Sequence, residues 1–280
     1  MKTKHKIFLA KFAYYVVHAL RAILGKSDAC QVKKSEINYD LDISQGIDFS
    51  IFLLGCFEPK TSRALEKLIR PGFVVIDVGA NIGAHTLNIA RLVGSTGQVI
   101  ACEPTDFAFL KLAKNIDLNP HLRSRVTALQ CFLGPVAEHK VPKLIYSRWP
   151  LKGGPDLHQK HLGAKEVTTG AKPTSIDEIV KNLDLKRIDL VKLDVDGFEC
   201  EVLAGAKSVL SKYKPVFVME LAPYVLNERG CSLKIILDIF SEYRYNLFDE
   251  NCREKIPFDA EKLENLIGKD AGKNVVACPA

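Results

Sequence analysis

At 280 residues and 31.1 kDa, with 47% hydrophobic and 26% charged side chains, the chain fits one large water-soluble domain. A mean hydropathy of +0.03 excludes a disordered chain, a fibrous repeat and a multi-span membrane protein. The 39 basic and 33 acidic side chains leave a net charge of +6, which raises the question of an anionic partner.

Residues 7–24 (IFLAKFAYYVVHALRAIL) read as a helix. Lys4, Lys11 and His18 recur every seven residues, with Tyr14 and Arg21 one turn on, so a narrow cationic stripe lies beside a broad apolar face. Three cationic side chains within the run argue against a membrane span. Packing on the domain or on a partner, and lying on a membrane surface, both remain open. Residues 26–36 are polar and read as a linker. Ile37–Phe57 alternates around Ser44-Gln45-Gly46 and predicts a β-hairpin. Thr61–Arg70 is a short amphipathic helix stopped by Pro71-Gly72.

A strand–helix rhythm follows. FVVIDV (73–78), QVIACE (98–103) and RVTALQ (125–130) are apolar strands, with helices over 84–92 and 106–118 between them. Residues 134–173 break the rhythm. They hold an extra strand pair near 141–146 and a long loop, 147–170, with His158, His161 and the only Trp in the chain, Trp149. Loops of that length are often lids or binding loops. The rhythm resumes with a helix near Ser175, the strand IDLVKLD (188–194), a helix from Glu199 to about Lys212, the strand PVFVMEL (215–221) and a helix over 233–240. Arg244–Phe248 and Asn274–Cys278 read as edge strands. The eight cysteines are scattered without metal-finger spacing, several inside apolar runs, and read as mostly reduced.

Apolar strands alternating with helices specify a mostly parallel sheet covered on both faces, and such sheets bind ligands at the carboxyl ends of their strands. There VVIDVGANIGAHT (74–86) joins strand to helix through Gly79, Ala80, Asn81 and Gly83. The spacing misses the G-x-G-x-x-G of dinucleotide sites. Asp77, just before the turn, would repel a pyrophosphate and suits a cationic ligand. Glu103 ends the next strand, where a carboxylate can accept from ribose hydroxyls. Two acids flanking a glycine turn favour S-adenosylmethionine over a nicotinamide or flavin. Asp77, Gly79, Ala80, Asn81, Gly83 and Glu103 are the expected cofactor-binding residues.

VVIDVGANIGAHTLNIA, VIACEP, TSIDEI, IDLVKLDVDGFECEVLAGA and PVFVMEL, with the lead-in GCFEPKTSRALEKLIRPG, resemble the FkbM-type family of SAM-dependent methyltransferases. The resemblance covers roughly residues 50–221. It implies a class I methyltransferase fold, a Rossmann-like α/β sheet of seven mostly parallel strands, and O-methylation of sugars or natural products. Family members commonly carry Glu where this chain has Asp196.

In LDVDGFECE (193–201), Asp194, Asp196 and Glu199 crowd within six residues and face Glu220 of the next strand. Such a group could act as general base, bind sugar hydroxyls or hold a hard cation, the last being the weakest reading; alternatively Glu199 only caps its helix. Asp194, Glu220 and then Glu199 are the expected catalytic residues, with His85, His158 and His161 as runners-up. No metal ligands are assigned. The expected acceptor is a hydroxyl of a small molecule or glycan. Nucleic acid is disfavoured because the acidic turn at 194–197 would repel phosphates. Methylation of protein or nucleic acid, or an inactive SAM-binding module near a membrane, stand as alternatives.

Residues 1–26 contain six Lys and Arg and no acid, leaving 33 basic and 33 acidic side chains in the rest. The expected organisation is an N-terminal helix and linker over 1–36 and a methyltransferase domain over 37–280. The expected location is cytoplasmic, with membrane association through residues 1–26. The sequence specifies no oligomeric state.

Overall fold

The structure, a computed structural model, describes residues 3–136 and 138–280. The side chains of residues 3–7, with Lys4 of the expected stripe, lie outside the description. The chain runs α1 (Thr3–Ile23), β1 (Ala29–Lys34), β2 (Ile37–Asp42), α2 (Gly46–Leu54), α3 (Pro59–Leu68), β3 (Val74–Val78), α4 (Thr86–Leu92), β4 (Gln98–Cys102), α5 (Asp106–Asp117), α6 (Pro120–Arg123) and β5 (Val126–Leu129). It continues with β6 (Cys131–Leu133), β7 (Leu144–Arg148), β8 (Ala164–Val167), β9 (Lys172–Thr174), α7 (Ile176–Asn182), β10 (Leu190–Leu193) and α8 (Glu199–Ala204). The last elements are β11 (Val216–Leu221), α9 (Pro223–Glu228), α10 (Leu233–Glu242), β12 (Tyr245–Asp249), α11 (Ala260–Ile267) and β13 (Lys273–Pro279).

Seven strands form one sheet in the order β12-β13-β11-β10-β3-β4-β5. β3, β4, β5, β10 and β11 are parallel, and β13 runs antiparallel between β11 and β12. β13, expected at an edge, is therefore an interior strand. This fits its sequence, because Val275, Val276 and Ala277 are buried in succession. Alternate strand residues divide between two cores. Ile76, Val78 and Ile100 pack with α7, α8 and α10, whereas Val75, Val99 and Ala101 pack with α3, α4 and α5. From β3 the chain builds outward to β5, then returns to build β10 and β11 on β3's other side. The order reverses between β3 and β10, which makes their carboxyl ends the switch point where such sheets leave a crevice.

Three expectations change and a fourth gains an exception. The hairpin is β1–β2, with Ser35 and Glu36 in its turn, so residues 29–34 are a paired strand and not linker, and the boundary expected at 36/37 falls in that turn. The second half of the expected hairpin is α2, where Ile47, Asp48, Phe49 and Ile51 are buried as on a helix. The helix expected over Glu199–Lys212 stops at Ala204. A side chain at Gly205 would collide with the backbone of Gly134, and Asp177 accepts from the Ser208 and Val209 amides where the chain restarts as a π-helical turn. Finally, the mostly reduced cysteines have one exception: Cys200 and Cys231 form a disulfide, and the other six are free.

Candidate functional site

The switch point opens into a cavity of about 720 Å³, within the range of small-molecule sites. It is lined at the carboxyl ends of β3, β4, β10 and β11 by Gly79, Glu103, Asp194, Asp196, Glu199 and Glu220. Ala80 and Asn81 also line it. Asp77 and Gly83, also expected at the cofactor, lie behind that lining.

Asp77 lies beneath the floor, fully buried, accepting from Thr86 Oγ1 at 2.6 Å. Its Oδ1 is 3.5 Å from Nζ of Lys192, a side chain only 4% exposed in the middle of β10. Lys192 also lies 3.4 Å from Asp194 Oδ2 and donates to the Gly79 carbonyl at 3.1 Å. Burial alone would lower the Lys192 ammonium, but Asp194, Asp77 and Glu58 reverse the effect and hold it above the ordinary lysine range. Lys192 thus ties β10 to the turn after β3. Its signal in the sequence is a lone Lys inside the apolar run IDLVKLD.

The glycines of the turn serve packing within the protein. Gly79 has φ +78°, and a side chain there would fall on the Asp194 carbonyl; Gly83 has φ +88° and is pressed against Leu112 of α5. The Gly79 and Ala80 amides both donate to the Cys102 carbonyl at 3.0 Å, so neither is left for a phosphate. Asn81, at φ +48°, directs its amide to Glu103 Oε2 (2.9 Å) and its side chain to the Ser147 carbonyl (2.9 Å). Glu103, 2% exposed, also accepts at Oε1 from the Thr105 amide (2.9 Å) and hydroxyl (2.5 Å). Burial pushes its carboxyl up against these bonds. Of four acceptor positions three are filled, leaving one for a ligand hydroxyl where the sequence reading expects a bidentate grip.

The acidic wall is crowded. Burial pushes Asp196 well up, with Asp194 and Glu199 adding to it, and Glu220 likewise, with Asp194 foremost among its neighbours. Glu199 is pushed up to about 7, chiefly by burial. It accepts long bonds from the Val195 and Gly197 amides, both 3.4 Å, while Oε2 is buried without a hydrogen bond. Gly197 and Asp196, at φ +98° and +49°, make the sharp turn that brings Glu199 back into the cavity.

Of the histidines, His85 lines the cavity 4% exposed, with neither ring nitrogen hydrogen-bonded, 3.9 Å from Glu58 Oε2. Glu58, which sequence reasoning assigned no role, takes φ +43° just ahead of α3. Burial alone would raise its carboxyl, but His85 and Lys192 bring it below the usual range. The expected lid, residues 147–170, contributes Trp149, His161 and Leu162 to the wall. His158 and His161 stack at 3.8 Å, Tyr146 meets both edge-on, and His158 Nε2 is 2.9 Å from Glu228. Burial, with His158 beside it, lowers His161 to about 4. Among the described residues, no group of three His, Cys, Asp or Glu side chains is placed to hold a metal ion.

The domain family described as Methyltransferase FkbM domain matches residues 77–247, more than half of the sequence. The chain belongs to the FkbM methyltransferase family. It is therefore a methyltransferase, and S-adenosylmethionine is the methyl donor. It is 25% identical over 191 residues to the 2-O-methyltransferase NoeI of Sinorhizobium fredii, covering 66% of this chain and 78% of NoeI. It is 29% identical over 161 residues to the hexuronic acid methyltransferase AglP of Haloferax volcanii, covering 58% of this chain. The match spans 61% of AglP, and 59% of Methyltransferase sdnD of Sordaria araneosa. Among solved structures, an FkbM methyltransferase from Methylobacillus flagellatus aligns with 16% identity and a TM-score of 0.42, covering 77% of this chain and 50% of that one.

Proposed function

We propose that this FkbM methyltransferase is an O-methyltransferase whose acceptor is a hydroxyl of a sugar, glycan or natural-product-like small molecule. One observation carries the reading: five carboxyls from the ends of β4, β10 and β11 converge on a single cavity over the glycine turn. The names of NoeI and AglP, a 2-O-methyltransferase and a hexuronic acid methyltransferase, support the acceptor class.

The residues present fit S-adenosylmethionine. Glu103 keeps one acceptor position for a ribose hydroxyl, and Val78, Cys102, Phe132 and Leu133 offer apolar wall for a flat base. Asp194 and its acidic neighbours suit a ligand carrying an ammonium and a sulfonium. Asp77 acts at one remove, by fixing Lys192 under the turn. When bound, the donor supplies a methyl group already activated by positive sulfur. The chain's task is to hold the acceptor oxygen in line and to remove its proton.

For proton removal we favour Glu199. Asp194 Oδ2 is engaged by Lys192, whereas Glu199 lines the cavity with Oε2 left without a hydrogen bond and a carboxyl poised near neutral pH. Asp194 and Glu220 then hold acceptor hydroxyls. His161, reaching in from the loop with His158 stacked on it, lines the cavity wall, where it would meet the acceptor.

The test is transfer of a labelled methyl group to panels of hexuronic acids, oligosaccharides and phenols, with mass analysis of the product. On an identified acceptor, Glu199→Gln should lower kcat by roughly 10² to 10⁴ while sparing donor affinity. Glu103→Gln should chiefly weaken donor binding. Wild-type turnover in Glu199→Gln would move the base to Asp194 or Glu220, and transfer only to nitrogen or carbon would overturn the O-methyl reading.

A further inference from the structure

An amphipathic helix on a water-soluble domain ordinarily turns its apolar face inward. α1 does the reverse. Tyr14 is fully buried and donates to Asp28 at 2.8 Å, and His18 meets the same carboxylate at 2.7 Å. Arg21 donates to the Ser27 carbonyl at 2.7 Å, and Lys11 lines the cavity. Ala10, Ala13 and Val17 fill the spaces against Ile43, Phe49 and Leu151. The polar stripe of the sequence is thus the face spent on the protein.

What α1 turns outward is apolar. Phe8, Phe12, Val16, Leu20, Ile23 and Leu24 are between 46% and 81% exposed, spaced to form one stripe along the helix. Single exposed apolar side chains are ordinary; a continuous stripe of large ones marks a surface that something covers. The cavity opens beside it, since Ala10 and Lys11 of α1 and the 59%-exposed Leu54 of α2 line its wall.

Charge selects the occupant. Residues 1–26 carry six Lys and Arg and no acid, while the remaining 254 residues balance at 33 of each sign. A second copy docking stripe to stripe would oppose two such cationic segments. An anionic surface would be drawn to one. No helix among the described residues is long and apolar enough to cross a membrane, so the fitting geometry is a helix lying in the plane of the surface. We propose that the outward stripe of α1 docks on the surface of a bilayer containing anionic phospholipid, with the cavity mouth beside the docked face. The docking rests on α1 alone and not on the reading of methyl transfer.

Flotation of the full chain with phosphatidylcholine vesicles, with and without phosphatidylglycerol, tests it. The wild type should float with the anionic vesicles and roughly tenfold less with phosphatidylcholine alone. The triple variant Phe12→Ser, Val16→Ser, Leu20→Ser should lose roughly tenfold or more in vesicle binding with donor affinity by calorimetry unchanged. Phe12→Trp should gain fluorescence that brominated lipid quenches. Overturning results are a wild type that stays in solution with both vesicle types, a triple variant that floats like wild type, or a wild-type dimer that the triple variant converts to monomer. Failure of the wild type to bind S-adenosylmethionine would instead overturn the donor assignment and leave the flotation result standing.

Discussion

Lys192 and Glu199 show how single side chains hold this site in tension. Lys192 is buried with Asp77 and Asp194 within 3.5 Å, and the arrangement persists because each charge answers another. Lys192→Met fits the volume but strands the fully buried Asp77 carboxylate. We expect a loss of about 3–5 kcal/mol in denaturant unfolding, with Asp77→Asn in the same chain recovering part of it. Glu199 is the converse case, an acid that burial makes reluctant to ionise. Its folded pKa, about 7 against an ordinary 4.5, means the unfolded chain gives up this proton first as pH rises. The contribution of Glu199 to stability is therefore full below about pH 4.5 and is lost as pH climbs through about 7. Glu199→Gln should accordingly be more stable than wild type at pH 8, on the order of 1–3 kcal/mol, and nearly equal at pH 4.5. Thermal unfolding across that range checks both sign and window. Both residues were visible in the sequence, Glu199 as one of three crowded acids and Lys192 as a charge inside a strand. The role of Lys192 was not, because its pairing with Asp77 exists only once β10 lies beside β3. For Asp77 and Gly83 the sequence likewise hid the partners behind them, Lys192 and Leu112, which the fold alone brings into view.

At the scale of elements, the regular β/α units were legible and the framing segments were not. FVVIDV and PVFVMEL are too apolar and too short for anything but buried strands. Residues 46–54 (GIDFSIFLL) fit both an alternating and a helical pattern, and only the buried set on α2 decides between them. β1, ACQVKK, carries too little apolar character to announce itself, and it forms because β2 offers a partner. Cysteine spacing gave no hint of the Cys200–Cys231 link, which joins α8 to the start of α10 across 31 residues. That span encloses Glu220 and the Tyr224–Arg229 stretch of the cavity wall. Thiol titration of the denatured chain should count the six free cysteines without reductant and eight after reduction. By chain entropy, closing a loop of that length stabilises by roughly 3–4 kcal/mol, so reductant should lower the melting temperature by several degrees.

Across the whole molecule, the sheet order gathers Glu103, Asp194, Asp196, Glu199 and Glu220 at one end of the strands, while the excess charge of +6 lies in residues 1–26. The switch between β3 and β10 was predictable as a class of place from the β/α rhythm alone. The orientation of α1 was not. Periodicity shows that a helix has two faces, but which one turns inward depends on Asp28, which lies beyond the helix and pairs with Tyr14 and His18.

The crowding of Asp196, Glu199 and Glu220 has a consequence for turnover. Carboxyls pushed up by burial hold protons that a bound cation would displace. Loading the methyl donor should therefore release protons to solvent, and its affinity should climb between pH 6 and 8. Calorimetry in two buffers of different ionisation enthalpy would then give different apparent heats, and identical heats would show that the wall does not titrate on binding. Once the methyl group has left, the spent donor has lost its sulfonium charge, and the wall can take its protons back. The cavity should then hold the spent donor more weakly than the methyl donor, by a margin that shrinks as pH falls, which competition between the two across pH 6 to 8 would measure.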